Sequence, residues 1–186
     1  MSSLAYLLAT DEPEATGEPD VLRDGAEQLA DAVYCLPLLW VALLPAGATR
    51  LVDADNVIFT VERAEGLELL QRRAARITAL LPEAHAGGYV ERFAEVLAEE
   101  SASHLVIDAT EIAEMDEPGK LVQEVDTITR WLDGDDSADG PGAVKRQCGL
   151  TARTALPEPV DGLDAEATAE QWQRVIAMVG SGDCWW

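Results

Sequence analysis

The chain has 186 residues, 48% hydrophobic and 26% charged, and is long enough to bury a core without disulfides or metals. Its 35 acidic residues outnumber 13 basic ones, which gives a net charge of −22. That charge argues against nucleic-acid backbones and anionic membrane surfaces as partners, because both are negative. It leaves open a plain solvated surface, a basic protein partner or an adaptation to salt.

Cysteine usage and the apolar runs bear on the compartment. Cys35, Cys148 and Cys184 form no close pair and no metal-binding spacing, which is typical of a reducing cytoplasm. The N-terminus lacks the basic region of a signal peptide. The longest apolar run, residues 36–45, is about half the length of roughly 20 residues that a membrane span needs. The sequence therefore predicts a soluble cytoplasmic protein.

Residues 4–33 contain patterns that predict a strand, a loop and a helix. Apolar residues 4–9 predict a buried strand, and the Pro-, Gly- and acid-rich residues 11–19 predict a loop. Asp24 and Glu27 have the spacing of a capping box. A helix is therefore expected there, with an inner face of Ala26, Leu29, Ala30 and Val33.

Residues 36–81 contain the clearest pattern. The apolar run 36–45 favours a short buried helix over a central strand, and 50–55 predict a turn or short edge strand. β-branched and aromatic residues 57–61 predict a strand. After Arg63 the apolar residues recur every three or four positions, which predicts a helix with an inner face of Leu67, Leu70, Ala74, Ile77 and Leu81.

The same helix carries a basic stripe in a chain that is otherwise acidic. Arg72 and Arg76 are four residues apart, and Arg73 lies beside them. We expect these arginines to neutralise nearby Glu62, Glu65 and Glu68. An anion site or an acidic-partner site is the alternative.

The middle of the chain continues the alternation. Residues 85–88 predict a linker, followed by a helix with Tyr89, Phe93, Val96 and Leu97 on one face. A second strand is expected at 104–109, then an acidic connection and a helix with an inner face of Leu121, Val125, Ile128 and Leu132. The sequence predicts one compact domain, 1–186, of α/β or α+β class: a small sheet backed by several helices. An all-helical chain is the alternative.

The C-terminal part begins with an acidic loop, residues 134–142. A late strand is expected at 150–156, and Asp164 caps a final helix with Trp172, Val175, Ile176 and Val179 inside. That helix and the tail form the segment 164–186. We expect Trp185 and Trp186 to fold back onto the core, and a waiting partner is the alternative.

Catalytic and cofactor motifs are not found: the chain lacks a nucleophile elbow, a P-loop, a dinucleotide fingerprint and zinc spacings. No cofactor or metal is predicted, and His85 and His104 are interpreted as non-catalytic. Residues 135–140 match the first half of a calcium loop, but Arg146 occupies the twelfth position, where a glutamate is needed. Asp108 ends a strand, where sheets place functional carboxylates. The leading interpretation of this residue is nevertheless a helix- or turn-capping role, and a functional carboxylate is the alternative.

Residues 3–10, SLAYLLAT, and the short, acidic, Trp-rich build resemble uncharacterised bacterial proteins of unknown function. Such proteins are often cytoplasmic partners or immunity proteins of polymorphic toxins, so the resemblance implies a binding role and no particular site residue.

The leading hypothesis is a non-enzymatic acidic protein that neutralises a basic partner, such as a nuclease toxin. The candidate binding residues are Asp108, Asp133, Asp135, Asp136 and Asp139. One alternative is a small-molecule or metal-dependent enzyme that uses strand-end carboxylates, with Asp108 central. The other is an acidic structural domain without a dedicated partner.

Overall fold

A computed structural model describes residues 3–13, 25–33, 35–51, 56–79 and 86–147. Most of the predicted loop 11–19, the late strand, the final helix and the tail with Trp185 and Trp186 lie outside the described residues. So do Leu81 and the side chain of Tyr89.

Five strands form one sheet: β1 Leu4–Thr10, β2 Glu27–Val33, β3 Thr49–Leu51, β4 Val57–Glu62 and β5 His104–Asp108. Their order is β2-β1-β5-β4-β3, and every neighbouring pair is antiparallel. In the centre, Asp108 pairs with Tyr6 on one side and with Ile58 on the other. The predicted mixed fold is confirmed, and the antiparallel pairing makes it the α+β form.

The described residues hold six helices: α1 Leu38–Val41, α2 Arg63–Thr78, α3 Ala86–Glu99, α4 Thr110–Ala113, α5 Lys120–Leu132 and α6 Gly140–Gln147. All six contribute to the core that covers one face of the sheet. Leu7, Phe59 and Ile107 supply the strand side of that core, because alternate residues of a strand point to the same face. Leu70 and Ile128 are among the helix residues packed onto them.

The opposite face of the sheet has a small apolar cluster of its own. Leu8, Ile58 and Val106 lie there, each almost fully buried. Among the described residues, partly buried Tyr6 and Ala26 pack against this cluster. The helices of the main core therefore lie on one side of the sheet only, within the described part of the chain.

The helix predicted to start at Asp24 is wrong, because residues 27–33 form strand β2. Ala30 and Ala32 are buried in the main core, while Asp31 between them pairs with Tyr6. A register shift between Leu7 and Leu8 interrupts the β1–β2 pairing. Pairing with the edge of β1 overrides the helix propensity of alanine, leucine and glutamate in this segment.

Three elements and the buried face of α2 also differ from the predictions. The expected linker at 85–88 is largely helical, since α3 begins at Ala86. The acidic connection after β5 contains the short helix α4, and the acidic loop ends at Gly140, where α6 begins. In α2, Leu67 is only half-buried, while Leu69, Leu70, Arg73 and Ile77 are buried.

The predicted inner faces of α3 and α5 hold at their main positions. Phe93 and Leu97 of α3 are fully buried. In α5 all four expected residues are buried. No helix in the described ranges is long and apolar enough to cross a membrane.

Candidate functional site

The acidic loop between α5 and α6 is bound to arginines of the same chain. Asp133 pairs with Arg72 and Arg73, and the other three aspartates each pair with one arginine. Those pairs are Asp136 with Arg76 at 2.8 Å, Asp135 with Arg130 at 2.5 Å, and Asp139 with Arg146 at 3.4 Å. The structure thus brings four of the five candidate binding residues together and gives each a cation.

Arg73 anchors this network in the core. Its side chain is fully buried, and its guanidinium donates from Nε and Nη2 to the two oxygens of Asp133, at 2.8 and 2.6 Å. Its Nη1 donates to the carbonyl oxygens of Ala42 and Leu44, at 2.9 and 2.7 Å. Hydrogen bonding from Arg73, with its charge, lowers the pKa of Asp133. The ion pair therefore joins α2, the end of α1 and the end of α5.

The rest of the loop is held by side-chain caps. The Ser137 hydroxyl and main-chain N–H both donate to Asp135. The bond from the Ser137 hydroxyl, followed by those from Arg130 and the Ser137 N–H, lowers the pKa of Asp135 to about 2. Arg146 donates to both oxygens of Glu124, at 2.7 and 2.8 Å, as well as to Asp139. Arg146 thus lies against the loop carboxylates where a calcium site needs a bidentate glutamate.

The Trp131 side chain lies at one side of the loop, next to Arg76 and Gly140. The guanidinium of Arg76 lies 5.3 Å from the centre of its ring, within the range of a cation–π contact. A side chain at Gly140 would overlap the Trp131 indole, so α6 can begin there only with glycine.

The loop surroundings are therefore close to neutral. Five arginines face six carboxylates, those of Asp133, the three loop aspartates, Glu124 and Asp126. The partners of Arg72 and Arg76 are Asp133 and Asp136, about 60 residues further along the chain, and not the predicted Glu62, Glu65 and Glu68. Folding thus brings most of the described basic charge to this one place.

Asp108 lies elsewhere. It belongs to the sheet face opposite the helices, between Tyr6 and Ile58, and its side chain is fully buried. The main-chain N–H of Thr110 donates to its Oδ1 at 3.1 Å. Because this bond spans two residues, it forms an Asx turn and fits the turn-capping interpretation of Asp108, while the N-cap of α4 is Ala109. The sheet separates Asp108 from the loop aspartates.

A second polar cluster was not predicted. The Ser103 hydroxyl lies 2.9 Å from Asp11 Oδ1 and 3.0 Å from His104 Nδ1, and the Ser103 N–H also donates to Asp11. In a nucleophilic triad the histidine lies between serine and carboxylate, whereas here the serine does. The cluster therefore ties the end of β1 to the start of β5, and hydrogen bonds from Ser103 lower the pKa of Asp11.

The described residues also form an open groove of about 440 Å³ between α2 and α3. Small apolar side chains line it, and Gln71, Glu91 and Glu95 supply its polar groups; the apolar residues are Ala74, Val90, Ala94 and Ala98. Arg63 at the start of α2 donates to carbonyl oxygens of Leu97 and Ala102, so the two helices run antiparallel. The only signal in the sequence was the four-residue spacing of alanines and glutamates on α3.

Three carboxylates form a row on the outer side of α3. Glu91, Glu95 and Glu99 are exposed, four residues apart, and no ion pair joins them to a described side chain. At the end of the row, burial raises the pKa of Glu100, and the charge of Glu27 raises it further. Glu91, Glu95 and Glu99 thus have no ion-pair partner among the described side chains, whereas each loop aspartate has one.

Neither metal-binding groups among the described residues nor comparisons with known proteins indicate a further site. The described residues contain no group of three or more histidines, cysteines or carboxylates that could hold a metal ion. No family model, curated protein or solved structure matches the chain.

Proposed function

We propose that this chain is a non-enzymatic cytoplasmic binding protein for a basic protein, acting as an inhibitor or immunity protein against a toxin such as a nuclease. Nucleic acid is not its partner in this proposal. The observation that carries it is the row of Glu91, Glu95 and Glu99 beside an open groove, on a chain of net charge −22. Acidic inhibitors of this kind are steered onto basic active sites and associate faster than neutral proteins.

The arginine partners of the acidic loop favour α3 as the contact surface. Carboxylates that already pair with arginine have much of their negative charge compensated, so they attract another cation less strongly than unpaired ones. Even the well-exposed Asp136 and Asp139, with side-chain exposures of 81% and 70%, keep such partners. Glu91, Glu95 and Glu99 have no such bond to lose among described side chains.

An enzymatic role receives less support from the described residues. Asp108, its central candidate, is fully buried and accepts a main-chain hydrogen bond. The polar groups in the groove lining are two glutamate carboxylates and one glutamine amide. The lining holds no nucleophile and no acid–base partner of a different type for the glutamates.

The proposal is tested by identifying a partner and rebuilding the complex. Proteins cross-linked to the chain in its native host are identified by mass spectrometry, then purified and tested one by one for a binary complex. We expect a partner of high isoelectric point, inhibited by the chain, with an association rate that falls by about tenfold or more from low to high salt. A binary complex whose rate is insensitive to salt, or the absence of any basic partner, would refute the proposal and favour a domain without a dedicated partner.

Two matched charge variants locate the contact. The first replaces Glu91, Glu95 and Glu99 by glutamine, and the second replaces the exposed Glu12, Glu114 and Glu117, which lie outside α3 and the groove. Both remove three negative charges. We expect the first to slow association more than the second.

A further inference from the structure

We infer that the groove between α2 and α3 binds a helix of the partner, one with a stripe of leucine-sized side chains flanked by lysines or arginines. This inference rests on the proposed function and names the part of the partner that this surface recognises. Two independent features support it: the shape of the groove and the spacing of the charges along it.

The shape fits a helix. The groove lies between two antiparallel helices, and a third helix packs into such a groove with its axis about 8–10 Å from its neighbours. Ala74, Ala94 and Ala98 are small, so they leave room for larger side chains of a partner to enter between the two helices. Val90, which is buried, supplies an apolar floor.

The charges fit the same partner. Glu91, Glu95 and Glu99 are spaced by about 6 Å along the helix axis, since each residue of a helix rises about 1.5 Å. Lysines or arginines four residues apart on a second helix repeat at that distance. A partner helix lying along α3 can therefore place one cation opposite each glutamate while its apolar stripe fills the groove.

The row also weakens α3 in the free protein. Like charges four residues apart destabilise a helix, and no ion pair to a described side chain offsets their repulsion. A bound cationic helix would remove that repulsion, so charge complementarity favours this occupant over a second copy of the same acidic chain.

The test uses two synthetic peptides of about 18 residues, or roughly five helical turns. Both are made of leucine and lysine, and both contain the same number of each residue. The ordered peptide has its leucines on one face and lysines four residues apart beside them. The shuffled peptide spreads both residue types around the helix. Binding to the full chain is measured by fluorescence anisotropy at low and physiological salt.

Four variants of the full chain accompany the peptides. Ala98→Trp fills the groove at an exposed position, and Ala46→Trp adds the same side chain at an exposed turn outside it. The two triple glutamate-to-glutamine variants described above remove equal charge at the row and away from it. Circular dichroism confirms that each variant is folded before binding is measured.

We expect the ordered peptide to bind the wild-type chain about tenfold more tightly than the shuffled one, a difference of about 1.4 kcal/mol. Ala98→Trp and the row variant should each remove most of that preference, while Ala46→Trp and the control charge variant keep it. Equal binding of both peptides, or equal effects of the two tryptophan variants, overturns the groove assignment. If the host partner then still binds with steep salt dependence, the proposed function stands without the groove; if no basic partner binds either, both fail.

Discussion

Arg73 and Asp133 form a two-pronged ion pair in which the cation is fully buried and the carboxylate is about a third exposed, with a side-chain exposure of 30%. The guanidinium also donates to the main-chain carbonyl oxygens of Ala42 and Leu44, so Asp133 is its only charged partner within hydrogen-bonding distance among the described residues. Loss of the carboxylate leaves a buried positive charge with neutral partners only, a more unfavourable arrangement than the loss of a surface ion pair.

Asp133→Ala should lower the free energy of unfolding by about 3 kcal/mol, toward the lower end of the range for breaking a buried pair because Asp133 is partly exposed. Asp136→Ala removes the same charge from the exposed pair with Arg76 and should change it by about 0–1 kcal/mol. Urea unfolding of both variants checks this. Equal losses would show that the burial of Arg73 has no energetic consequence.

The acidic loop should lose its stabilising bonds at low pH. Since the folded state lowers the pKa of Asp135 from 3.8 to about 2, its contribution to stability is complete above pH 4 and disappears as the pH falls toward 2. The lowered pKa of Asp133 acts in the same direction. In ¹³C-detected NMR, the Asp135 carboxyl should titrate well below the ordinary value, and Asp135→Asn should flatten the stability profile between pH 4 and 2. A carboxyl that titrates near 3.8 contradicts the network.

The row on α3 should be unfavourable for folding. Each of its two like-charge pairs weakens a helix by about 0.2–0.5 kcal/mol, and Glu99 lies at the negative end of the helix dipole. Replacing Glu91, Glu95 and Glu99 by glutamine should therefore raise the melting temperature, although it weakens partner binding. The variant at Glu12, Glu114 and Glu117 serves as the control for net charge. A lower melting temperature for the row variant alone would mean that these carboxylates have stabilising partners.

Two leucines of α2 should differ in their effect on stability. Leu70 is fully buried, so Leu70→Ala should lower the free energy of unfolding by about 2–5 kcal/mol. Leu67 is half-buried, and Leu67→Ala should have a clearly smaller effect. Urea unfolding of both variants distinguishes this helix orientation from the predicted one, in which both leucines are equally buried.

The Cys35 thiol should not react with thiol reagents in the folded protein. It is buried, and burial raises its pKa to about 11, so little thiolate exists at neutral pH. In a Cys148→Ser/Cys184→Ser background, the native chain should fail to react with a thiol reagent at pH 8 and should react with one equivalent in urea. Rapid reaction without denaturant would place Cys35 at the surface.

Segments with a strong apolar period were predictable from the sequence. Strand 57–61 and the inner face of α5 are examples, because burial on one side selects the same residues at a fixed spacing. The buried carboxylate of Asp108 also fits its turn-capping interpretation, since it accepts the main-chain N–H two residues further on in an Asx turn.

Features that depend on distant partners were not predictable. Strand β2 has the composition of a helix, and only its pairing with β1 makes it a strand. Arg72 and Arg76 of α2 pair with carboxylates about 60 residues away and not with glutamates on their own helix. The reason is that the packing of α2 against α5 brings the loop close to them. The groove likewise exists only once α2 and α3 are packed side by side.

The central pairing of the sheet has a consequence for biosynthesis. Strand β1 pairs with β5, and the residues that meet, such as Tyr6 and Asp108, lie about a hundred positions apart. At about 5–20 residues per second, ribosomes need roughly 5–20 s to make that interval, so the apolar β1 emerges long before its partner. During this time it can pair with β2 alone, and a two-stranded hairpin is marginally stable at best. The nascent chain therefore spends seconds with an exposed strand edge, the stage at which chaperones would be most useful and slow synthesis most harmful.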